Sequence, residues 1–401
     1  MLLRYSYRIY PTGPQRKALA RTFGCVRTVY NDAVAARRAA FKAGLPYPST
    51  GALDKQLITK AKRTTERSWL AEVSTVPLQQ ALRDCQAAYR NFFESLTGKR
   101  AGDRVGPPRF RRRSARQTAR YTRNGFRIRA SGRLYIAKIG ELKVAWSRGL
   151  ASEPSSVTIV KTTTGKYFAS FVVRVDNDAE RLEPLADPDA ETGVDLGLKS
   201  FAVLRGGKVI DNPRFFRRLE RKLKKAQQAL SRTQKGSNNR AKARLRIANL
   251  HEKTRNRRDD WLHKQVKALV SENQALYVED LCVKGLSRGR SAKSIQDAAF
   301  GRFLDMLASK AARTGRVLAK IDRYFPSTRL CSTCGALSGP KGPEGLRVRS
   351  WICDCGAIHD RDENAEINIR REGRRLVAAG LADTQNACGG PVRPGIPGTA
   401  R

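Results

Sequence analysis

Four of the chain's eight cysteines fall within 25 residues, as Cys331-x-x-Cys334 and Cys353-x-Cys355, and a glycine, Gly335 or Gly356, follows each pair directly. No other feature restricts the fold so tightly. Two cysteine pairs, each with a tight glycine turn, can bring four sulfurs around one ion, and zinc favours four thiolates in a tetrahedron at about 2.3 Å. The 18 residues between the pairs approach zinc-ribbon spacing, with the second knuckle one residue short. Cysteine then fills every position and leaves no open site for a substrate. One structural Zn2+ held by Cys331, Cys334, Cys353 and Cys355 is therefore expected. His359, four residues past Cys355, reads as a packing or nucleic-acid residue and not as a further ligand. The remaining cysteines are scattered, so a disulfide framework is not expected.

Charge sets the partners. Among 401 residues, 79 Lys and Arg face 36 Asp and Glu, a formal net charge of +43. Such an excess speaks about partners and not about fold, and nucleic acid is the first polyanion to consider. Two segments carry much of it. Residues 99–133 hold thirteen Lys/Arg and one acid, with Phe110, Tyr121 and Phe126 interleaved. Aromatic rings among arginines suit stacking on bases, which makes Arg109, Arg111 and Tyr121 candidate contacts. Residues 214–258 hold seventeen Lys/Arg and two Glu, while Leu219, Leu223 and Leu230 leave an apolar stripe. This predicts paired helices with one face on a core and the other along a phosphate backbone, with Arg221 and Lys225 on the outer face. A basic membrane-surface protein is the competing reading. No run of about 18 apolar residues exists, so no spanning helix is expected. The first eleven residues alternate like a strand and lack an apolar stretch of the secretory kind. A cytoplasmic, nucleoid-associated protein is expected, and extracellular small-molecule enzymes are poor candidates.

The order of elements gives the fold class. A strand over residues 3–10 precedes a helical pattern from Gly13 to about Phe93, where Gln15, Leu19, Phe23, Val26 and Tyr30 recur every three to four residues. Short strand-like runs follow between Phe126 and Val175. The expectation is a small β-barrel-like domain, 1–10 and 126–180, with a helical lobe, 11–125, inserted together with its basic loop. From Thr192 come three strand runs, two basic helices, the strand Ala275–Glu279, a helix over about Lys293–Arg313, the strand Val317–Ile321, the cysteine module, and a last helix from about Asp362 to Ala379. This β-β-β-α-β-α-β-(insert)-α order is that of a ribonuclease H-like α/β domain, here 190–322 and 360–379, with a zinc ribbon, 323–359, inserted before the last helix. The chain is thus expected to be α+β and multidomain, with a disordered Gly/Pro-rich tail, 380–401.

Three acids stand at telling places in that order. Asp195 lies within the apolar run Gly-Val-Asp-Leu-Gly, Glu279 ends Ala-Leu-Tyr-Val-Glu, and Asp362 opens the last helix in His-Asp-Arg-Asp-Glu-Asn-Ala. An acid in an apolar strand is costly unless it is paired or bound to a metal. On a ribonuclease H-like sheet these three would meet at one edge and hold two Mg2+ about 3.5–4 Å apart for phosphodiester hydrolysis. Taken singly, Asp195 also reads as a salt-bridge partner, Glu279 as a neutralising group and Asp362 as a helix cap. Asp360 competes for the third role; Asp362 is preferred for its place just before the Asn-Ala of the helix start.

Several segments together resemble one family. Tyr7-Arg-Ile-Tyr-Pro11 with Gln15, Phe23-Gly-Cys-Val-Arg27 with Tyr30-Asn31, Gly106-Pro-Pro-Arg-Phe110, Gly193-Val-Asp-Leu-Gly197, Val278-Glu-Asp-Leu281, Tyr324-Phe-Pro-Ser-Thr328 and His359-Asp-Arg-Asp-Glu-Asn-Ala365 with Asn368-Ile369 look like the motifs of TnpB (OrfB) proteins of IS200/IS605-type transposons. The miniature Cas12 nucleases are more distant kin. The likeness spans about residues 3–379 and departs at the short second knuckle and at Glu366, where alanine is usual. It implies an RNA-guided DNA endonuclease with a guide RNA from the transposon end. Such a protein recognises a short target-adjacent motif in double-stranded DNA and cuts with one RuvC-like site on Asp195, Glu279 and Asp362. The β domain would be the wedge and the helical part the recognition lobe. The likeness also offers Gln79, Gln80, Thr122 and Asn124 as motif-reading residues, since Gln and Asn match adenine edges. Four alternatives stand beside it: a miniature Cas12-type CRISPR effector, a guided DNA-binding repressor without cleavage, a guide-independent DDE-type transposase, and a structural RNA-binding protein with a zinc ribbon.

Overall fold

In the computed structural model, residues 1–381 are described apart from 101, 103, 177, 179 and 346. The expected disordered tail lies outside the described residues beyond Leu381, as does Cys388. The described chain forms two compact units divided at Asp176.

The first unit begins with β1 (Leu2–Tyr10), whose alternation sends Tyr7 and Ile9 inward. Pro14 and the side chain of Gln15, which accepts the Thr12 N–H at 2.9 Å, start α1 (Gly13–Lys42). A short α2 (Thr50–Asp54) and then α3 (Thr75–Leu96) follow. Leu19, Phe23, Val26 and Tyr30 of α1 face Leu78, Leu82 and Tyr89 of α3, as period-3.6 spacing requires. The strands are β2 (Gln117–Thr122), β3 (Phe126–Ile128), β4 (Leu134–Ile136), β5 (Gly140–Ala145), β6 (Ser156–Lys161) and β7 (Tyr167–Arg174). They join β1 in one seven-stranded sheet of order β2-β6-β7-β1-β5-β4-β3. Its two edge strands, β2 and β3, are connected by only Arg123–Gly125. Strands that close in sequence cannot lie at opposite ends of a flat sheet, so the sheet curls until its edges approach.

Two expectations change here. After β1 the sheet resumes at Gln117, inside the stretch assigned to the helical lobe: Arg120 and the arginines on either side of β2 hide the alternation that buries Ala119 and Tyr121. The helices and the sheet also share one continuous core, in which Leu19, Phe23 and Leu82 pack with Tyr7, Ile9, Tyr121 and Phe171.

The second unit carries β8 (Glu191–Leu196), β9 (Ser200–Leu204) and β10 (Lys208–Asp211) as an antiparallel meander. Next come the basic helices α4 (Phe215–Ser231) and α5 (Asn238–Glu272), then β11 (Ala275–Glu279) parallel to β8. Three helices follow: α6 (Val283–Leu286), α7 (Ala292–Ala298) and α8 (Phe300–Thr314). The helix expected over 293–313 is therefore broken, at Ala299, which is left-handed with φ 58°. Gly315, at φ 73°, ends α8 as expected. Then come β12 (Val317–Ile321), parallel to β11, α9 (Gly342–Gly345), the hairpin β13 (Ser350–Ile352) and β14 (Ile358–Asp360), and α10 (Arg361–Ala378). The main sheet has the order β10-β9-β8-β11-β12. Phe201, Val194 and Leu276 pack with Val266 of α5 and Phe303 of α8, while Tyr277, Ala319 and Ile321 pack with Ile369 of α10.

Candidate active site and metal centre

The approach of α10 to the sheet positions the acids. At Gly193 of β8 an added Cβ would stand 2.5 Å from the Glu366 carbonyl oxygen, and at Gly373 of α10 it would stand 2.2 Å from the ring of Tyr277. Both glycines are needed for the backbones to come this close. The Gly193 N–H donates to Glu366 Oε1 at 2.9 Å, and Tyr277 donates its hydroxyl proton to Glu191 Oε2 at 2.9 Å. Strand β8 and the start of α10 are thereby held together, with Asp195 on one and Asp362 on the other.

The Asp195 carboxyl is strongly perturbed. Its pKa is raised to about 8, by burial first and then by the charges of Glu279 and Asp362, against the opposing pull of Arg361 and Arg349. Glu279 and Asp362 thus both lie within electrostatic reach of Asp195. Glu279, at the end of β11, is raised by burial and partly relieved by the Ser327 hydroxyl, which donates to its Oε1 at 2.7 Å. Asp362 accepts from Arg349 at 3.0 Å and from Arg361 at 2.9 Å. The cap role belongs to Asp360, whose Oδ1 accepts the N–H groups of Asp362 and Glu363 at 2.9 and 3.0 Å, leaving the Asp362 carboxylate to the site. A cavity of about 490 Å³ opens over Asp195 and Asp362, ringed by the cations Lys199, Arg329, Arg349 and Arg361. Those cations were not singled out in the sequence. Arg361 and Ser327 sit inside quoted motifs, but nothing local marks Arg349.

The cysteines converge more tightly than the acids. The ligand sulfurs of Cys331, Cys334, Cys353 and Cys355 all lie within 4.8 Å of one another. Among the described residues, theirs is the group of such side chains that draws together this far. The Ser338 hydroxyl, donating to Cys353 Sγ at 3.0 Å, helps lower that thiol to about 6. Against the Ala336 N–H, contacts with the neighbouring thiols push Cys334 up to about 12. Four sulfurs in this arrangement cannot all ionise without a cation, and a soft divalent ion such as zinc meets that need. His359 packs its ring on Trp351 at 4.6 Å and sets Nε2 3.1 Å from Cys331 Sγ, outside the four-sulfur group. Asn364 and Asn368 of α10 fasten the module to the site: both donate to the Leu330 carbonyl, at 2.8 and 2.6 Å, and Asn368 also donates to the Ser327 carbonyl at 2.9 Å. The same clamp sets Ser327 under Glu279.

The candidate nucleic-acid contacts divide. Tyr121 is fully buried and Gln80 nearly so; neither offers an edge or face to a base, and both readings are corrected, because each side chain faces the shared core. Gln79 donates to Asp54 Oδ2 at 2.9 Å. Arg111 stacks on Tyr30, 3.7 Å from the ring centre, and pairs with Asp84 at 3.2 Å. Arg109 is exposed and lines a cavity of about 800 Å³ in the first unit with Arg27, Arg38, Arg112, Arg116 and the half-exposed ring of Phe110. Thr122 is half-buried and Asn124 exposed at the end of β2, and Arg221 and Lys225 are exposed on α4.

Among the described residues, no helix is long and apolar enough to cross a membrane. In fold, the chain is similar to a Cas12f1 protein whose solved structure is titled "Cryo-EM structure of the Cas12f1-sgRNA-target DNA complex". The TM-score is 0.54 at 13% identity, covering 88% of this chain and 82% of that one. The chain is α+β and Cas12f-like. Family models match in three places: "Probable transposase" of the OrfB_IS605 kind over residues 170–290, "Cas12f1-like, TNB domain" over 300–369, and an OrfB_IS605 "Helix-turn-helix domain" over 1–45. The last of these falls on β1 and the single long helix α1. A Streptomyces pristinaespiralis protein named "Putative RNA-guided DNA endonuclease" is 43% identical, the match covering 97% of this chain and 92% of that protein. An Escherichia coli K12 protein named "Putative RNA-guided DNA endonuclease InsQ" is 29% identical, over 99% of this chain and 96% of its own length. This chain belongs to the same family, that of the IS605-type OrfB proteins.

Proposed function

We propose that this chain is an RNA-guided DNA endonuclease of transposon origin, which hydrolyses phosphodiesters at a RuvC-like site on Asp195, Glu279 and Asp362. The observation that carries the chemistry is Asp195, half-buried at the end of β8 and raised to about 8 by desolvation and by two further carboxylates. An acid whose proton affinity is raised by two neighbouring carboxylates forms a cation site with them, and the oxygen donors suit Mg2+. Bound there, two Mg2+ supply an activated water and a charge sink for the leaving oxygen. The chain's own residues do the rest. Ser327 holds Glu279 in one orientation. Arg349 and Arg361 steady Asp362 and present positive charge to a phosphodiester entering the cavity, where charge develops in the transition state. The zinc module braces this edge through Asn364 and Asn368.

The sheet order β10-β9-β8-β11-β12, with an antiparallel meander followed by parallel strands, supports a ribonuclease H-like reading of the second unit. The names of the relatives support guide RNA and DNA as partners, and we read that DNA as double-stranded. We read the curled sheet as the wedge and the helices inserted in it as the recognition lobe. Thr122 and Asn124 are the remaining candidates for reading a target-adjacent motif, and Arg109, Arg221 and Lys225 for phosphate contacts. Base pairing then supplies sequence while the protein holds backbone and shape.

The test is to purify the chain with the RNA from its native locus, sequence that RNA, and assay cutting of a matched duplex with and without Mg2+. Cutting that needs both guide match and Mg2+ supports the reading. A 3′ end matching a CRISPR spacer makes the protein a miniature Cas12-type effector. A heterogeneous RNA population overturns the guided model, and strand-joined products indicate a transposase.

A further inference from the structure

A second cavity adjoins the Asp195 site. It measures about 300 Å³ and is lined by Leu198, Lys199, Asn212, Arg214, Arg217, Ser294 and Asp297. Leu198 and Lys199 also line the cavity over Asp195, so the turn from β8 to β9 is the wall between the two.

The cations here differ in what they have left to give. Arg217 donates to Ser294 Oγ at 2.8 Å. Asp297, the one acid on the wall, spends one oxygen on the Phe216 N–H at 2.7 Å and the other on the Arg217 N–H at 3.2 Å, and so closes the start of α4. The Asn212 amide donates to the Leu198 carbonyl at 3.1 Å, while its oxygen accepts the Arg214 N–H at 3.3 Å. Lys199 and Arg214 are exposed, and among the described residues neither side chain has an ion-pair partner. Arg214 also holds a left-handed backbone, φ 48° and ψ 52°. A long side chain gains nothing locally from that conformation. It persists because Asn212 fixes the turn, and it sets an arginine on the wall of this cavity. Strain of this kind collects at ligand clamps.

We infer that this cavity seats a phosphate of the DNA strand being cut, one that flanks the scissile phosphodiester, with Lys199 and Arg214 as its positioning residues. Successive phosphates of one strand advance by about 3.4 Å along a duplex axis, so adjoining cavities sharing one wall suit adjacent phosphates of one strand. Holding the flanking phosphate fixes the scissile one against Asp195. The inference rests on the nuclease reading above, and its test separates the two.

The experiment uses the guide-loaded complex and a target strand carrying one neutral methylphosphonate, moved position by position across the cut. In the wild type, one position beside the cut should slow single-turnover cleavage by roughly tenfold. Lys199→Gln and Arg214→Gly should slow the unmodified strand by a similar factor and lose sensitivity at that position alone, with Arg214→Lys restoring part of it. Glycine adopts φ 48° freely, so Arg214→Gly should keep its thermal midpoint and exclude misfolding as the cause. In parallel, the salt slope of target-strand binding should fall by about 0.7 per lost contact. Variants that respond like the wild type at every position overturn the inference, and so does a salt-slope change seen with guide RNA alone. If the wild type does not cut at all, the nuclease reading fails, and the methylphosphonate scan of binding and the salt slope still decide the phosphate seat.

Discussion

The backbone N–H of Gly193 donates to the buried carboxylate of Glu366 at 2.9 Å, and this bond ties the strand bearing Asp195 to the helix bearing Asp362. Glu366 also pairs with Arg370 at 3.1 Å. At the position read in the sequence as a departure from the family pattern, the Glu366 carboxyl therefore serves as an internal strut.

The fit between α10 and the sheet has no room for a methyl group at Gly373, where a Cβ would meet the Tyr277 ring at 2.2 Å. Gly373→Ala should destabilise the second unit by about 1–3 kcal/mol, the ordinary cost of overpacking. Thermal unfolding measures this, and an unchanged midpoint would show that the helix shifts freely.

Asp195→Asn should abolish DNA cutting while guide RNA binding persists, because the substitution keeps the shape and removes a central carboxylate. Cleavage assays alongside RNA co-purification separate the two effects. Residual cutting above background would remove Asp195 from the site.

Stability without divalent cations should depend on pH. Folded Asp195 keeps its proton to about pH 8, while its ordinary value is 3.8. Between those values the folded chain binds more protons than the unfolded one, so this group's contribution is full below about pH 4 and is lost as pH rises towards 8. Glu279, also raised, acts in the same direction. Midpoints measured in chelator at pH 5 and pH 8 should fall with pH, less steeply in Asp195→Asn, and added Mg2+ should recover the loss at pH 8.

The cysteine cluster should hold one zinc per chain by elemental analysis. Cys334→Ser should lower that content and the thermal midpoint together, since a structural zinc stabilises the fold it closes. Retention of a full equivalent by the variant would exclude Cys334 as a ligand.

Tyr121 and Asn124, close in sequence, should behave differently. Tyr121→Ala empties a fully buried site and should cost about 3–5 kcal/mol. Asn124→Ala, at an exposed position, should leave stability within about 0.5 kcal/mol and alter the preferred target-adjacent motif. A motif unchanged in randomised-target cleavage would release Asn124 from that role.

The sequence by itself determined what local pattern encodes. Apolar runs of strand length gave β8, β11 and β12, helical spacing gave α1 and α3, and the Cys-Gly pairs gave the four-sulfur cluster. Each signal lies within a few residues, so no knowledge of distant partners is needed. Tertiary structure decided what distant residues do to one another. It buried Tyr121 and Gln80 despite their polar groups, drew a strand out of an arginine-rich segment, and broke a helix at Ala299. It gave the cap to Asp360 and freed Asp362, then brought Arg349 to Asp362 and Ser327 to Glu279 across 13 and 48 positions of chain. Such pairings depend on which faces pack together, and side-chain burial and charge partners are fixed only when the sheet and α10 close on each other.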